Sequence, residues 1–150
     1  YQNTLIGFQG RSLGPNKVKY ITVMLNEEAP KVYGMDQIDK GRSVYVVEGP
    51  FDATFINNSI ALCGSDGDLE HFEAYDFIYA YDNEPRNKEI VGRIERCIRD
   101  NKRVVIWPNT IREKDINDMV LAGHDVQSVV ESNVYDGLKA KLQFNTWKRI

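Results

Sequence analysis

The sequence is short of cysteine and of long apolar runs, and each shortage excludes a class of protein. Its two cysteines, Cys63 and Cys97, stand alone and far apart, which gives neither a zinc-binding pattern nor a disulfide framework. No stretch approaches the roughly 20 apolar residues that a transmembrane helix needs, and no basic-then-apolar leader opens the sequence. We therefore expect an intracellular protein in a reducing compartment, with no membrane span.

Within those limits, the composition is that of a soluble globular protein. Of the 150 residues, 42% are apolar and 27% are charged, and a chain of this length fits one domain with a substantial core. The first residue is Tyr1 rather than Met, and a strand-like segment begins within a few residues. We therefore expect an excised domain or a processed product.

The net charge of −3 is unevenly distributed. Residues 1–25 and 137–150 contain no acid, so the acids all fall in the middle of the chain. The basic residues of these two ends are Arg11, Lys17, Lys19, Lys139, Lys141, Lys148 and Arg149. A basic surface beside acidic residues suits phosphate binding. The alternative is an ordinary solvated face, which is the interpretation we favour for the C-terminal set.

The hydrophobic pattern predicts a β-hairpin followed by alternating strands and helices. The hairpin strands are residues 5–8 and 18–23. From residue 43 onward, the predicted strands are 44–47, 60–63, 77–81 and 104–107. The predicted helices are 51–57, 86–100, 115–121, 125–131 and 137–147. Strands that alternate with helices in this way imply an α/β fold with a mostly parallel sheet and right-handed crossovers.

Three of the predicted strands are followed by carboxylates. Glu48-Gly49-Pro50-Phe51-Asp52 follows the first strand, Asp82-Asn83-Glu84 follows the third, and Lys114-Asp115-Ile116-Asn117-Asp118 comes after the fourth. Parallel strands end together at one edge of the sheet, where open α/β sheets bind ligands, so these acids should meet. Clustered carboxylates repel one another unless a cation neutralises them. The pattern therefore predicts a magnesium site.

The spacing of the acids favours a single site over three unrelated groups. Asp82 follows Glu48 by 34 positions and Asp115 follows Asp82 by 33, close to the ~30 residues of a strand–helix–strand unit. Taken singly, each group has an ordinary interpretation as a loop acid, a helix cap or a first-turn acid that the helix dipole favours. Recurrence at one sheet edge makes the functional interpretation stronger, although for Asp118 the two interpretations stay evenly balanced.

The same motifs resemble those of a known family. Glu48-Gly49-Pro50-Phe51-Asp52 resembles the Glu-Gly-x-x-Asp motif of the Toprim domain, and Asp82-Asn83-Glu84 resembles its Asp-x-Asp motif. Residues 114–118 resemble a segment of phage Toprim primases. Upstream elements that resemble bacterial-type primases are Gly7-Phe8-Gln9-Gly10-Arg11, Lys19-Tyr20 and Val32-Tyr33-Gly34. The resemblance covers most of residues 4–123, and its second motif is most similar to that of tailed-bacteriophage primases.

Two features depart from that family. The second motif ends in Glu84 rather than Asp, and it continues into Pro85-Arg86-Asn87-Lys88 instead of a glycine-rich segment. Magnesium accepts carboxylate oxygens from either residue type, so Glu84 can still bind if the geometry adjusts. Beyond Gly123 no similarity is recognisable, and the sequence lacks the Cys/His cluster of the zinc-binding module that accompanies primases.

The resemblance implies a Toprim fold, which has a mostly parallel central sheet flanked by helices, here with an N-terminal β-hairpin subregion. It divides the chain into three parts. Residues 1–42 would be the β-rich part of a primase catalytic core, residues 43–123 the Toprim domain, and residues 124–150 a C-terminal helical extension.

The resemblance also implies roles for particular side chains. Glu48, as general base or metal-linked carboxylate, and Asp82 would be catalytic. The carboxylates that would bind Mg²⁺ (or Mn²⁺) are Asp82, Glu84 and Asp115, followed by Asp118 and Asp52. The residues that would serve nucleotide or template binding are Arg11, Lys19 and Gly49, the last because a side chain there would obstruct the tight strand-to-helix turn.

The implied function is that of a DNA primase fragment. It would make short RNA primers from ribonucleoside triphosphates on single-stranded DNA during phage DNA replication, in the cytoplasm of a bacterial host cell, with a replicative helicase as partner. One alternative is a Toprim nuclease, against which the upstream Arg11 element argues. The other is a non-catalytic module that binds template or helicase, against which the retention of all the acids argues.

Overall fold

The structure, a computed structural model, describes residues 4–15, 17–18, 20–63, 69, 72 and 75–150. Its strands are β1 (Gly7–Arg11), β2 (Tyr20–Met24), β3 (Val44–Val47), β4 (Ser59–Ala61), β5 (Phe77–Tyr79), β6 (Arg103–Val105) and β7 (Val134–Tyr135). Its helices are α1 (Pro50–Ala53), α2 (Lys88–Arg99), α3 (Ile116–Leu121), α4 (Val126–Ser132) and α5 (Gly137–Trp147).

A five-stranded sheet forms the centre of the molecule. The strand order is β4-β3-β5-β6-β7, in which the first four strands run parallel and β7 runs antiparallel to β6. All four residues of β3 are buried, because an unbroken run of Val, Tyr, Val and Val suits a strand that is covered on both faces. The predicted α/β fold with a mostly parallel sheet is confirmed.

The pairing of β3 with β5 sets the position of the edge that carries the acids. Val46 lies opposite Tyr79 in the parallel register. The pairing continues past the assigned end of β5, because the backbone N–H of Ala80 donates to the carbonyl oxygen of Val46 at 2.8 Å. The two strands therefore reach the same edge together, with Glu48 and Asp82 just beyond it.

Helix α2 covers part of the sheet with the apolar stripe that the sequence predicted. Its buried residues are Ile90, Val91, Ile94 and Cys97, and the helix contacts β6 and α5. The helix begins at Lys88, inside the predicted range, because the side chain of Asn87 accepts a hydrogen bond from the backbone N–H of Glu89 at 3.0 Å. This cap fixes the start of α2 a few residues after the second acidic motif.

Helix α1 is a single turn, shorter than the predicted range of 51–57. A longer helix would have the backbone N–H of Asn57 donate to the carbonyl oxygen of Ala53. Instead, that N–H donates to the side chain of Gln127 at 2.8 Å, and the hydroxyl of Ser59 donates to the oxygen of Ala53 at 2.8 Å. The expected strands 60–63, 77–81 and 104–107 also end two residues earlier, and β7 was not predicted. The Gly-Ser-Asp-Gly sequence at residues 64–67 predicts a turn, but these residues lie outside those that the structure describes.

Strands β1 and β2 form a separate antiparallel sheet. The strands start at residues 7 and 20, slightly later than the predicted 5 and 18, and the side chain of Gln9 donates to the hydroxyl of Thr22 at 2.9 Å across the pair. Large apolar side chains of this hairpin, such as Phe8 and Ile21, are exposed.

The division of the chain at residues 42 and 123 stays a prediction. None of the described helices is long and apolar enough to cross a lipid bilayer.

Candidate active site

The first two acidic motifs meet at the edge of the sheet. Glu48 directly follows β3, and Asp82 follows β5 by three residues. The backbone N–H of Asp82 donates to Oε1 of Glu48 at 3.2 Å, across 34 positions of sequence. Both side chains are largely covered, with 27% of Glu48 and 21% of Asp82 exposed to solvent. The parallel register of β3 and β5 thus brings together the two residues expected to be catalytic.

The third motif joins the same edge through α1 and α3. The carboxylate of Asp115 caps α3 by accepting from the backbone N–H of Asp118 at 2.8 Å. The backbone N–H of Asn117 donates to Oδ1 of Asp52 at 3.1 Å, which ties the start of α3 to α1 across 65 positions. Asp115 therefore acts as the helix cap that its sequence context allowed, and Asp52 lies beside it.

The basic side chains of Lys114 and Arg93 border the acids. The sequence indicated no role for either residue. The ammonium of Lys114 lies 3.7 Å from Oε1 of Glu84 and 4.0 Å from Oδ2 of Asp82. The guanidinium of Arg93, on α2, lies 3.7 Å from Oε2 of Glu48. These separations are long and Lys114 is 56% exposed, so the contacts neutralise the cluster only weakly. Helix periodicity alone does not reveal that Arg93 faces the sheet edge.

The acids raise one another's pKa values. Burial, and then the charges of Glu48 and Asp52, raise the pKa of Asp82 to about 7. Burial, and then the charges of Asp115 and Glu48, raise the pKa of Asp52 to about 6 despite the hydrogen bond from Asn117. Burial also raises the pKa of Glu48, against the opposing effects of its hydrogen bond from Asp82 and of Arg93. The carboxylates of Glu48, Asp52 and Asp82 therefore share one electrostatic environment that disfavours their ionised forms.

The chemistry of these carboxylates suits a hard divalent cation. Its ligands are carboxylate oxygens, which Mg²⁺ prefers, and a bound cation would remove the mutual repulsion. Among the described residues, however, no three groups of the kinds that bind metal ions stand close enough together to hold one. The acids are neighbours but do not converge on one point, so binding would require side chains to rotate toward a common centre.

Gly49 provides space between β3 and α1. Its backbone is extended, with φ of −115° and ψ of 144°, so no unusual conformation requires a glycine here. A Cβ atom built on Gly49 would lie 2.8 Å from Oδ2 of Asp52. Glycine therefore lets the carboxylate of Asp52 fold back over the end of β3.

Arg11 lies next to this edge although it belongs to the separate hairpin. Its guanidinium carbon lies 5.0 Å from the ring centre of Phe51 and 5.4 Å from that of Tyr20, distances typical of cation–π contacts. Phe51 belongs to α1 and immediately precedes Asp52, so the contact places a positive charge beside this helix. Lys19, the other basic residue expected to contact nucleotide or template, lies outside the described residues.

Comparisons with known proteins point to one kind of replication enzyme. No known family profile matches the chain. The chain is 35% identical over 150 residues to the DNA primase of Enterobacteria phage T4, a match that covers 95% of this chain and 44% of that protein. The chain therefore spans less than half the length of this curated relative.

Solved structures of primases have the same fold. A DNA primase domain from Pseudomonas aeruginosa matches with a TM-score of 0.67 and 22% identity, covering 90% of this chain and 49% of that one. The DnaG primase catalytic domain bound to single-stranded DNA matches with a TM-score of 0.64 and 18% identity, covering 97% of this chain and 59% of that one. At these identities the matches establish the fold, and they extend over both sheets described above.

The crowding of the acids predicts how stability depends on pH in the absence of divalent cations. The folded-state pKa of Asp82 lies above its usual value of 3.8, so the folded protein holds a proton that the unfolded chain releases. The stabilisation from that proton is complete near pH 4 and is lost as the pH rises through about 7. We expect Asp82→Asn to raise the free energy of unfolding at pH 8 by about 1–2 kcal/mol and to change it little at pH 4. Urea denaturation at both pH values measures this difference, and an Asp82→Asn variant that is less stable than wild type at pH 8 would contradict it.

The contact between Gly49 and Asp52 predicts a cost for any side chain at position 49. Gly49→Ala should push the carboxylate of Asp52 away from Asn117 and lower the free energy of unfolding by about 1 kcal/mol. Gly92→Ala is the matched control, because a Cβ atom at Gly92 in α2 meets nothing within 4 Å. That change should raise stability by about 0.5–1 kcal/mol, through helix propensity. Equal effects of the two substitutions in urea denaturation would show that Gly49 is not needed for space.

Proposed function

Since the chain is homologous to a phage DNA primase along nearly all of its length, we propose that it forms the catalytic part of such an enzyme. It would join ribonucleotides into short RNA primers on a single-stranded DNA template. The observation that carries the proposal is the hydrogen bond between the backbone of Asp82 and the carboxylate of Glu48. This bond joins two acidic motifs at the ends of paired parallel strands, where the fold accommodates a ligand.

Asp82, Glu84 and Asp115 would hold Mg²⁺ or Mn²⁺, with Asp118 and Asp52 as further carboxylates. A bound divalent ion neutralises charge on the triphosphate and makes the 3′-hydroxyl more acidic. The support is the oxygen-only donor set and the mutual repulsion that raises the pKa values of Asp52 and Asp82. The two cations that border the acids, Lys114 and Arg93, offset this repulsion only in part.

Glu48 would act as the general base of the reaction. It would take the proton of the 3′-hydroxyl as that oxygen bonds to the α-phosphorus and pyrophosphate leaves. Its pKa is raised by burial, which brings a carboxylate closer to the range in which it accepts a proton effectively at neutral pH. The hydrogen bond from Asp82 and the nearby guanidinium of Arg93 hold the side chain in place.

Arg11 would bind a phosphate of the incoming nucleotide or of the template, and Lys19 is proposed for the same role. The support for Arg11 is its place over Phe51, beside the carboxylates. A guanidinium binds phosphate oxygens in pairs and stays charged at all relevant pH values. In this arrangement the positive charge of the hairpin faces the nucleic acid while the acids of the main sheet perform the chemistry.

The proposed primase function also implies a template, substrates and a partner protein. One structural relative is a primase catalytic domain bound to single-stranded DNA, and we propose single-stranded DNA as the template here. Ribonucleoside triphosphates would be the substrates, a replicative helicase the partner, and the cytoplasm of a bacterial host cell the location. The chain spans 44% of the T4 primase, so complete activity depends in this proposal on segments of the kind that make up the rest of that protein.

The proposal predicts that primer synthesis depends on Glu48 and Asp82. Glu48→Gln and Asp82→Asn keep the shape of each side chain but remove its charge, and each should lower RNA primer synthesis on single-stranded DNA with Mg²⁺ by about 100-fold or more. Glu95→Gln, at an exposed position of α2, removes a charge from the same protein and should leave synthesis unchanged. Primer synthesis that survives both site substitutions would refute the assignment.

The same variants separate the proposal from its alternatives. Cleavage of DNA without synthesis, lost in Asp82→Asn, would indicate the nuclease. Calorimetry with Mg²⁺ tests the non-catalytic module, which the lack of converging ligands among the described residues favours. If Mg²⁺ does not bind, or binds equally well to Asp82→Asn, the chain is better described as a non-catalytic binding module.

The position of Arg11 predicts a specific loss of nucleic-acid binding. Arg11→Ala should weaken the binding of a single-stranded oligonucleotide by about tenfold and reduce the dependence of affinity on salt, because one phosphate contact is lost. Arg99→Ala is the control: Arg99 is also an exposed cation, but it lies at the far end of α2, next to the start of β6. Fluorescence anisotropy at several salt concentrations measures both effects, and equal losses in the two variants would show a general charge effect.

A further inference from the structure

The loop that carries Asp82 and Glu84 is fastened by the residue between them. The backbone N–H of Asn83 donates to the carbonyl oxygen of Lys114. Its side-chain amide donates to the carbonyl oxygens of Ile111 at 3.2 Å and Glu113 at 3.0 Å. Asn83 therefore binds the second acidic motif to the segment that leads into the third. The side-chain oxygen of Asn83 takes no part in these contacts.

That oxygen accepts a hydrogen bond from the end of the chain. The indole N–H of Trp147, the last residue of α5, donates to Oδ1 of Asn83 at 2.8 Å, across 64 positions. Trp147 is 4% exposed and stacks against Phe144 with ring centres 6.2 Å apart. The helix itself contacts α2 and β6. A buried indole on a packed helix is a rigid donor, so it holds the amide of Asn83 in one orientation.

The residues after α5 reinforce this contact. The backbone N–H of Arg149 donates to the carbonyl oxygen of Pro85, which directly follows Glu84, at 2.8 Å. The guanidinium of Arg149 donates to the side chain of Asn109 at 3.2 Å. The C-terminal segment thus binds the acidic loop on the far side of Glu84 as well.

The second tryptophan holds the other side of the same loop. The indole N–H of Trp107 donates to the carbonyl oxygen of Tyr81 at 2.7 Å. The chain has two tryptophans, and their indoles bind the residues immediately before and after Asp82. The loop is therefore held on both sides of the Asp82 carboxylate.

We propose that Trp147 is a positioning residue for the acidic loop: its hydrogen bond to Asn83 fixes the backbone from which Asp82 and Glu84 would turn toward a shared cation. Without it, the repulsion between Asp82 and the neighbouring acids would favour rotation of the loop away from the sheet edge. The inference rests on the proposed function, because it requires that Asp82 bind the ion. It gives a role to α5, which lies in the part of the chain where the sequence resembles no known motif.

Trp147→Phe tests this proposal, because phenylalanine keeps an aromatic ring in the core and removes only the donor. Outer hydrogen-bond partners of metal ligands typically contribute 10–100-fold to metal affinity. We expect the dissociation constant for Mg²⁺, measured by calorimetry well below the melting temperature, to rise about tenfold. In an Asn83→Ala background the same substitution should have no further effect, because its partner is gone.

Phe144→Leu is the matched control for a loss of packing. It perturbs the same helix and the ring that Trp147 stacks on, but leaves the indole donor in place. It should lower the melting temperature and leave Mg²⁺ affinity within twofold of wild type. A spectroscopic measurement accompanies the binding data. In Trp107→Phe, Trp147 is the remaining indole, and its emission should change on Mg²⁺ addition with the same saturation as a calorimetric titration of that same variant.

The outcomes distinguish this inference from the proposed function. If wild type binds Mg²⁺, Asp82→Asn does not, and Trp147→Phe binds as tightly as wild type, the role of Trp147 is refuted and the metal site stands. An equal loss of affinity in Trp147→Phe and Phe144→Leu would also refute it, since the effect would then come from packing. If Mg²⁺ binding is absent from wild type or insensitive to Asp82→Asn, both proposals fall.

Discussion

Repulsion among half-buried carboxylates is the constraint on which the rest of this structure depends. Glu48, Asp52 and Asp82 are held near one another at the end of a parallel sheet, and burial, followed by the charges of nearby acids, raises all three pKa values. Such an arrangement costs stability unless a proton or a cation neutralises it. The energy that maintains it comes from the apolar sheet beneath, above all from β3, every residue of which is buried. The burial of apolar side chains in the sheet therefore offsets the cost of holding these acids close together.

Backbone hydrogen bonds fix the positions of these carboxylates relative to one another. The carboxylates of Glu48 and Asp52 each accept an N–H from a segment more than thirty positions away, at Asp82 and Asn117 respectively. Asp115 accepts one locally as a helix cap. Hydrogen bonds of this kind favour the ionised form and partly offset burial. Because each long-range bond joins two different motifs, the site forms only when the strand and helix ends have assembled, and the assembled ends in turn fix the acids.

The sequence predicts the sheet better than the surroundings of the site, for physical reasons. Apolar runs such as Val44–Val47 identify buried strands by composition alone, and the regular spacing of Glu48, Asp82 and Asp115 follows from one strand–helix repeat per motif. Single side-chain contacts such as that of Arg93 leave no periodic signal. The same holds for the two-residue strand β7 and for the end of α1, which is decided by a glutamine seventy positions away. The α/β fold and the adjacency of the acids were therefore predictable, whereas the groups that orient those acids were not.

The two sheets differ in how much apolar surface they bury, and this difference bears on the roles proposed for them. The main sheet buries an extensive apolar core, while the β1–β2 pair leaves Phe8 and Ile21 exposed and is held beside α1 by the contact of Arg11 with Phe51 among others. Two-stranded sheets are marginally stable in water, so the hairpin belongs to the less stable end of the molecule. In the proposed function, the hairpin would recognise a flexible single strand, and such a support suffices because a guanidinium needs only to reach a phosphate. The proposed nucleotidyl transfer would need a more rigid support, since reacting groups must be held within fractions of an ångström. The location of the carboxylates on the main sheet and of Arg11 on the hairpin is consistent with this division.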